Sequence, residues 1–127
     1  MKKLFISQPM KGKSDEDILA ERQKAIKSAE AKIGEAVEVI DSFFQEAPVD
    51  AKPLWFLGKS LELLADADIA YFAKGWQEAR GCKIENTCAI EYGIPVIEDY
   101  TAEYELEQKH DLENFLTRQG VNHITGE

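Results

Sequence analysis

The chain has 127 residues, enough for one domain with a proper core and near the lower end for a doubly wound sheet. Hydrophobic content of 44% excludes wholesale disorder, and no apolar run approaches the roughly 18 residues of a membrane span. Acidic residues outnumber basic ones by 24 to 15, a formal net charge of -9, which disfavours duplex DNA or RNA as the main partner because a polyanion needs a basic face.

The opening MKKLFIS has two lysines but too few apolar residues before Gln8 and Pro9 for a signal peptide, so it reads as a strand. Leu4-Phe5-Ile6 is continuously apolar, as a central parallel strand covered on both faces requires. Ser7 to Lys13 is a loop, since Pro9 disfavours helix in the residue before it and Gly12 loosens the backbone. Ser7, Gln8, Lys11 and Gly12 suit a phosphate or ribose, but no Walker or dinucleotide pattern separates that reading from an ordinary solvated loop. A small anion needs only a local cluster, which Lys11, Lys13 and Arg80 can supply. Ser14 opens a helix with Asp17 in capping-box spacing, Ile18, Ala25, Ile26, Ala29 and Ile33 form its apolar stripe, and Gly34 stops it.

Val37 to Ile40 is the second strand, followed by a long loop whose Phe43 and Phe44 either stack on a base or cap the core or a subunit interface. Pro53 sits in the first turn of a helix with Leu54, Leu57, Leu61 and Leu64 facing a sheet. Trp55 and Phe56 fall off that stripe, where a subunit contact would take them. Asp66, Ala67 and Asp68 lead into a third strand, Ile69 to Phe72. A Gly-containing loop then reaches Arg80, a helix from near Gly81 carries Glu85, Gly93 stops it, and Ile94 to Ile97 is the fourth strand. One more helix is expected over 102–117.

This alternation predicts a single-domain α/β protein over residues 1–127, a three-layer flavodoxin/Rossmann-like fold with a parallel sheet of four or five strands and helices on both faces. In such sheets ligands sit outside the carboxyl ends of the strands, where helix N-termini favour anions. Arg80 and Gly81 fall there, with Glu85 one turn further in. Cys82 and Cys88 lie six apart on one helix and so on different faces, which argues against a mutual disulfide, and with no secretion signal they are expected to be reduced thiols of a cytoplasmic protein. The two histidines, His110 and His123, stand in the tail, and no metal-ligand spacing or Ser-His-Asp arrangement is present.

The segment ADADIAYF, followed by GWQEARGCKIENTCAIEYGIPVI, resembles the nucleoside 2-deoxyribosyltransferase-like superfamily. Ile6-Ser7-Gln8-Pro9-Met10-Lys11-Gly12 is similar to the opening of its small "ISQPM" branch, and the likeness runs to about Ile97. The resemblance implies cleavage or transfer at the N-glycosidic bond of 2′-deoxynucleosides or their 5′-monophosphates. Gly81-Cys82-Lys83-Ile84-Glu85 matches the family's G-x-x-x-E, which makes Glu85 the nucleophile, whereas spacing alone reads an exposed helix glutamate. Asp68 matches the aspartate that helps a proton onto the leaving base, against a plain reading as a turn residue. Trp76 either stacks on a base or plugs the loop against the core.

The chain departs from the family at Ala79, where the transferases carry an aspartate and the monophosphate hydrolases a serine. Arg80 beside it suits a phosphate, and the family tyrosine of the first strand is replaced within Phe5-Ile6-Ser7. The expected partners are a small nucleoside or nucleotide and further copies of the chain, a dimer or larger, with no nucleic-acid polymer, no membrane and no cofactor. The alternative is a nucleotide- or ribose-binding protein of the same fold without turnover.

Overall fold

The computed structural model describes residues 1–42 and 47–100. Four strands and three α-helices alternate in it: β1 Lys2–Ser7, α1 Asp15–Ile33, β2 Val37–Val39, α2 Pro53–Leu64, β3 Ile69–Phe72, α3 Arg80–Glu91 and β4 Val96–Glu98. A short 3-10 turn, Trp76–Glu78, precedes α3. Phe43 and Phe44, the expected helix over 102–117, His110 and His123 lie outside the described residues.

All strand pairs are parallel, in the order β2-β1-β3-β4. The chain leaves β1 towards one edge and returns to the other side, so the switch point of this α/β sheet lies between β1 and β3. Ser7, Phe72 and Glu98 form its last rung at the carboxyl end.

Side-chain alternation along the strands builds two cores. Leu4, Ile6, Ile69 and Tyr71 face α1, meeting Ala25 and Ala29, with Ile26 and Ile33 packed alongside. Phe5, Ala70 and Phe72 face the other way, onto Leu64 of α2 and Ala89 of α3. β1 and β3 are thus apolar on both faces, as their unbroken apolar runs require. The same parity sends Ser7 to the α2/α3 side and Gln8 to the α1 side, which decides what each can reach.

Local chemistry sets the ends of α1. The Ser14 hydroxyl accepts from the Asp17 backbone N–H at 3.1 Å, a cap that contributes about 1 kcal/mol. Gly34, at φ 84, closes the other end through a bond from its N–H to Glu30. β4 begins two residues later than the sequence predicts. The Ile94 N–H is still bonded to the Ala89 carbonyl, and Gly93 stands at φ 74, so the chain is completing the helix stop before the ladder starts.

Among the described residues no helix is long and apolar enough to cross a membrane, and both cysteines are free.

Candidate active site

A cleft of about 750 Å³ opens between α2 and α3 on the side of the sheet that Ser7 faces. That volume is within the roughly 300–1,000 Å³ range of small-ligand sites. Glu85, only 8% exposed, forms part of its lining. The Ser7 hydroxyl donates to Glu85 Oε1 at 2.7 Å, a bond 78 residues long in sequence that ties the end of β1 to α3. Ser60 of α2 lines the same cleft, and its hydroxyl favours the charged form of the same carboxylate. Burial raises the Glu85 pKa above the ordinary carboxylate range, and the hydrogen bonds from Ser7 and Ser60 oppose that rise by favouring the charged form. Glu85 is thus a buried carboxyl group at the edge of a ligand-sized space.

Cys82, one turn before Glu85, is buried at 7% exposure. Burial pushes its thiol pKa up, and the Glu85 charge adds to the rise, which keeps it protonated and unreactive.

The rest of the cleft is largely apolar. Leu54, Phe56 and Leu57 supply the α2 wall and Ile84 the α3 wall. Phe56 lines the cleft, and Trp55, which is not among the lining residues, meets it edge-on with centroids 5.1 Å apart and planes at 83°. Lys52 precedes α2, Arg80 opens α3, and both line the cleft. Neither helix start is capped by a side chain, which leaves first-turn N–H groups for solvent or an anion.

Of the residues singled out in the sequence, Ser7, Arg80, Gly81 and Glu85 converge on this cleft. The others do not. Asp68 is corrected outright: it precedes β3, so in a parallel sheet it lies at the amino end. There the Lys3 N–H donates to Asp68 Oδ2 at 2.7 Å, and the Asp68 N–H donates to the Lys3 carbonyl. Four residues of strand at about 3.3 Å each put it about 13 Å from the last rung, too far to serve a base held at Glu85.

Gln8 is buried but committed to α1: its amide donates to the Ile18 carbonyl at 3.3 Å, and its Oε1 accepts from Arg22 at 3.2 Å. Lys13 is likewise taken up by Glu21 at 2.8 Å, so it adds little to an anion cluster. Lys11 and Gly12 are exposed on the loop and do not line the cleft. Trp76 plugs the loop against the core, 5.7 Å from Phe72 and 5.9 Å from Tyr100 between ring centroids. Base stacking by Trp76 is therefore replaced by packing.

Ser60 and Lys52 escaped the sequence reading. A signal for Ser60 was present: one hydroxyl inside the apolar face formed by Leu57, Leu61 and Leu64. Lys52 carries no such mark, since a lysine before a helix proline is ordinary until the fold places it opposite Arg80. Among the described residues no group of three or more His, Cys, Asp or Glu side chains is arranged to hold a metal ion. Comparison of the chain with protein-family models, with curated proteins and with solved structures gives no match.

Proposed function

We propose that this chain acts on the N-glycosidic bond of 2′-deoxynucleosides or their 5′-monophosphates through a covalent intermediate on Glu85. The observation that carries the reading is the buried Glu85 carboxylate, held by Ser7 at 2.7 Å beside the β1/β3 switch point and facing a cleft with an apolar wall. The Glu85 oxygen not held by Ser7 attacks C1′ of the sugar, the C1′–N bond breaks, and its electron pair leaves with the base, which takes up a proton from water. Water then adds to C1′ and loses a proton, and the C1′–O bond to Glu85 breaks, restoring the carboxylate. A second base in place of that water makes the reaction a transfer. The apolar wall suits a flat base, and the resemblance at Gly81-Cys82-Lys83-Ile84-Glu85 supports the same chemistry.

The test is incubation with deoxynucleosides, their 5′-monophosphates and the ribo counterparts, with and without an acceptor base, followed by chromatography for free or exchanged base. Release from at least one deoxy substrate is expected. A panel with neither release nor exchange rules the reading out. One observation favours the second reading, a binding protein without turnover: burial drives Glu85 towards its protonated form, and a protonated carboxyl does not attack. Ligand recovered intact and stoichiometric in native mass spectrometry would select it.

Ser7 is on this reading a positioning residue whose hydroxyl favours the ionised form of Glu85. The nucleophile must be ionised, so activity is lost as pH falls through the raised Glu85 pKa. Ser7→Ala removes a bond to the charged form and moves that acid limb to higher pH. A hydrogen bond to a charged group is worth about 1.5–3 kcal/mol, so the limb should move by about 1–2 pH units, with kcat/KM falling about tenfold or more on its acid side and recovering towards alkaline pH. A uniform loss with an unshifted limb would show that Ser7 does not act through Glu85 ionisation.

A further inference from the structure

Lys52 and Arg80 stand on the two walls of the Glu85 cleft, one at the start of α2 and one at the start of α3. Their chain positions are 28 residues apart by number, and only the fold brings them to one mouth. Neither has an ion-pair partner among the described residues, although the protein carries nine more acidic than basic groups. The loop cation Lys13, by contrast, is paired with Glu21. Beyond the two cations the walls are apolar, with Leu57 and Ile84 among their residues, and Glu85 is buried beside them.

Two cations with no ion-pair partner among the described residues, on a space shared with an apolar wall and a carboxylate, make a site divided by chemistry. An anionic group belongs near the cations, since it would be repelled by Glu85 and poorly solvated against Leu57 and Ile84. A flat, weakly polar group belongs on the wall. A molecule that satisfies both has a base at one end and a phosphate at the other.

Resting on the glycosidic reading above, we propose that Lys52 together with Arg80 forms the subsite for the substrate's 5′-phosphate, and that Lys52 is a specificity-determining residue selecting the monophosphate over the free nucleoside. The loop from Ser7 to Lys13 is left out of this role, because Gln8 and Lys13 are engaged by α1 and Lys11 is not in the cleft lining. Arg80 offers a planar fork to phosphate oxygens, and Lys52 adds a mobile point charge from the opposite wall.

The experiment is calorimetric titration of the full chain carrying Glu85→Ala, so that nothing turns over, with thymidine and with its 5′-monophosphate, and again with Lys52→Ala, Lys52→Arg or Arg80→Ala added. Lys52 is exposed, so its replacement leaves the core untouched. The monophosphate should bind at least tenfold more tightly than the nucleoside. Lys52→Ala and Arg80→Ala should each weaken the monophosphate about tenfold and the nucleoside less than twofold, and Lys52→Arg should restore most of the loss. Equal binding of the two ligands, or equal weakening of both by Lys52→Ala, overturns the two-cation subsite while leaving the glycosidic reading intact. Binding of neither ligand, joined to an absence of base release from the parent chain, removes that reading and this subsite with it.

Discussion

Glu85→Gln should abolish base release, by on the order of 10⁴-fold or more, while raising stability at neutral pH. The amide has the carboxylate's shape and its oxygen still accepts the Ser7 hydroxyl, but it cannot form a glycosyl ester. The stability gain follows from burial. Glu85 is 8% exposed, and its folded pKa lies above the ordinary value because desolvation penalises the charge more than Ser7 and Ser60 relieve it. Between the unfolded and the folded pKa the native state holds the extra proton, so stability is full below the unfolded value and is lost as pH rises through that window. Glutamine has no proton to lose and escapes this loss. Urea titrations of parent and variant should therefore nearly coincide at about pH 4, below the unfolded Glu value, and separate at neutral pH with the variant the more stable. A variant less stable than its parent at neutral pH would mean that the two serines outweigh desolvation, and that Glu85 is held charged at no cost to the fold.

Much of the framework was legible in the sequence because its causes are local or repetitive. Ser14 and Gly34 end α1 through bonds reaching only a few residues, and the unbroken runs at Leu4-Phe5-Ile6 and Ile69 to Phe72 reflect burial on both faces. Glu85 stands out by its match to G-x-x-x-E and not by spacing, while its burial and its bond to Ser7 depend on the strand parity that turns Ser7 towards α3. Asp68 was misjudged by resemblance although its direction was readable: a residue just before a parallel strand belongs to the amino end of the sheet. Gln8, Lys13 and Trp76 were harder. Each has side-chain chemistry suited to a ligand, and each is taken up by a partner that only the folded chain provides, Glu21 and Arg22 for the first two and Phe72 with Tyr100 for the third. Type and spacing state what a side chain can do, whereas competition for it is settled by packing.

Phe72→Ala should be the most destabilising single truncation in the sheet, at about 3–5 kcal/mol. Phe72 is fully buried, ends β3, and fills the core on the α2/α3 side with Phe5, Leu64, Ala70 and Ala89 around it. Its ring also meets Trp76 at a tilt of 57°, a contact worth about 0.5–1.5 kcal/mol beyond the area buried. Alanine leaves a cavity bounded by strands on one side and helices on the other, which have little freedom to collapse into it. Set against a total stability of about 5–15 kcal/mol for a domain of this kind, the loss is a large fraction of what holds the chain folded. Leu54→Ala is the matching control, since Leu54 is 79% exposed, and it should stay within about 0.5 kcal/mol. Urea unfolding separates the two: a large fall in midpoint for Phe72→Ala with an unchanged slope, and almost none for Leu54→Ala. Equal small shifts would show that the α2/α3 core is not packed around Phe72. Because the Phe72 backbone pairs with Ser7 in the last rung, and Ser7 in turn holds Glu85, the variant's base release should track its folded fraction as temperature rises.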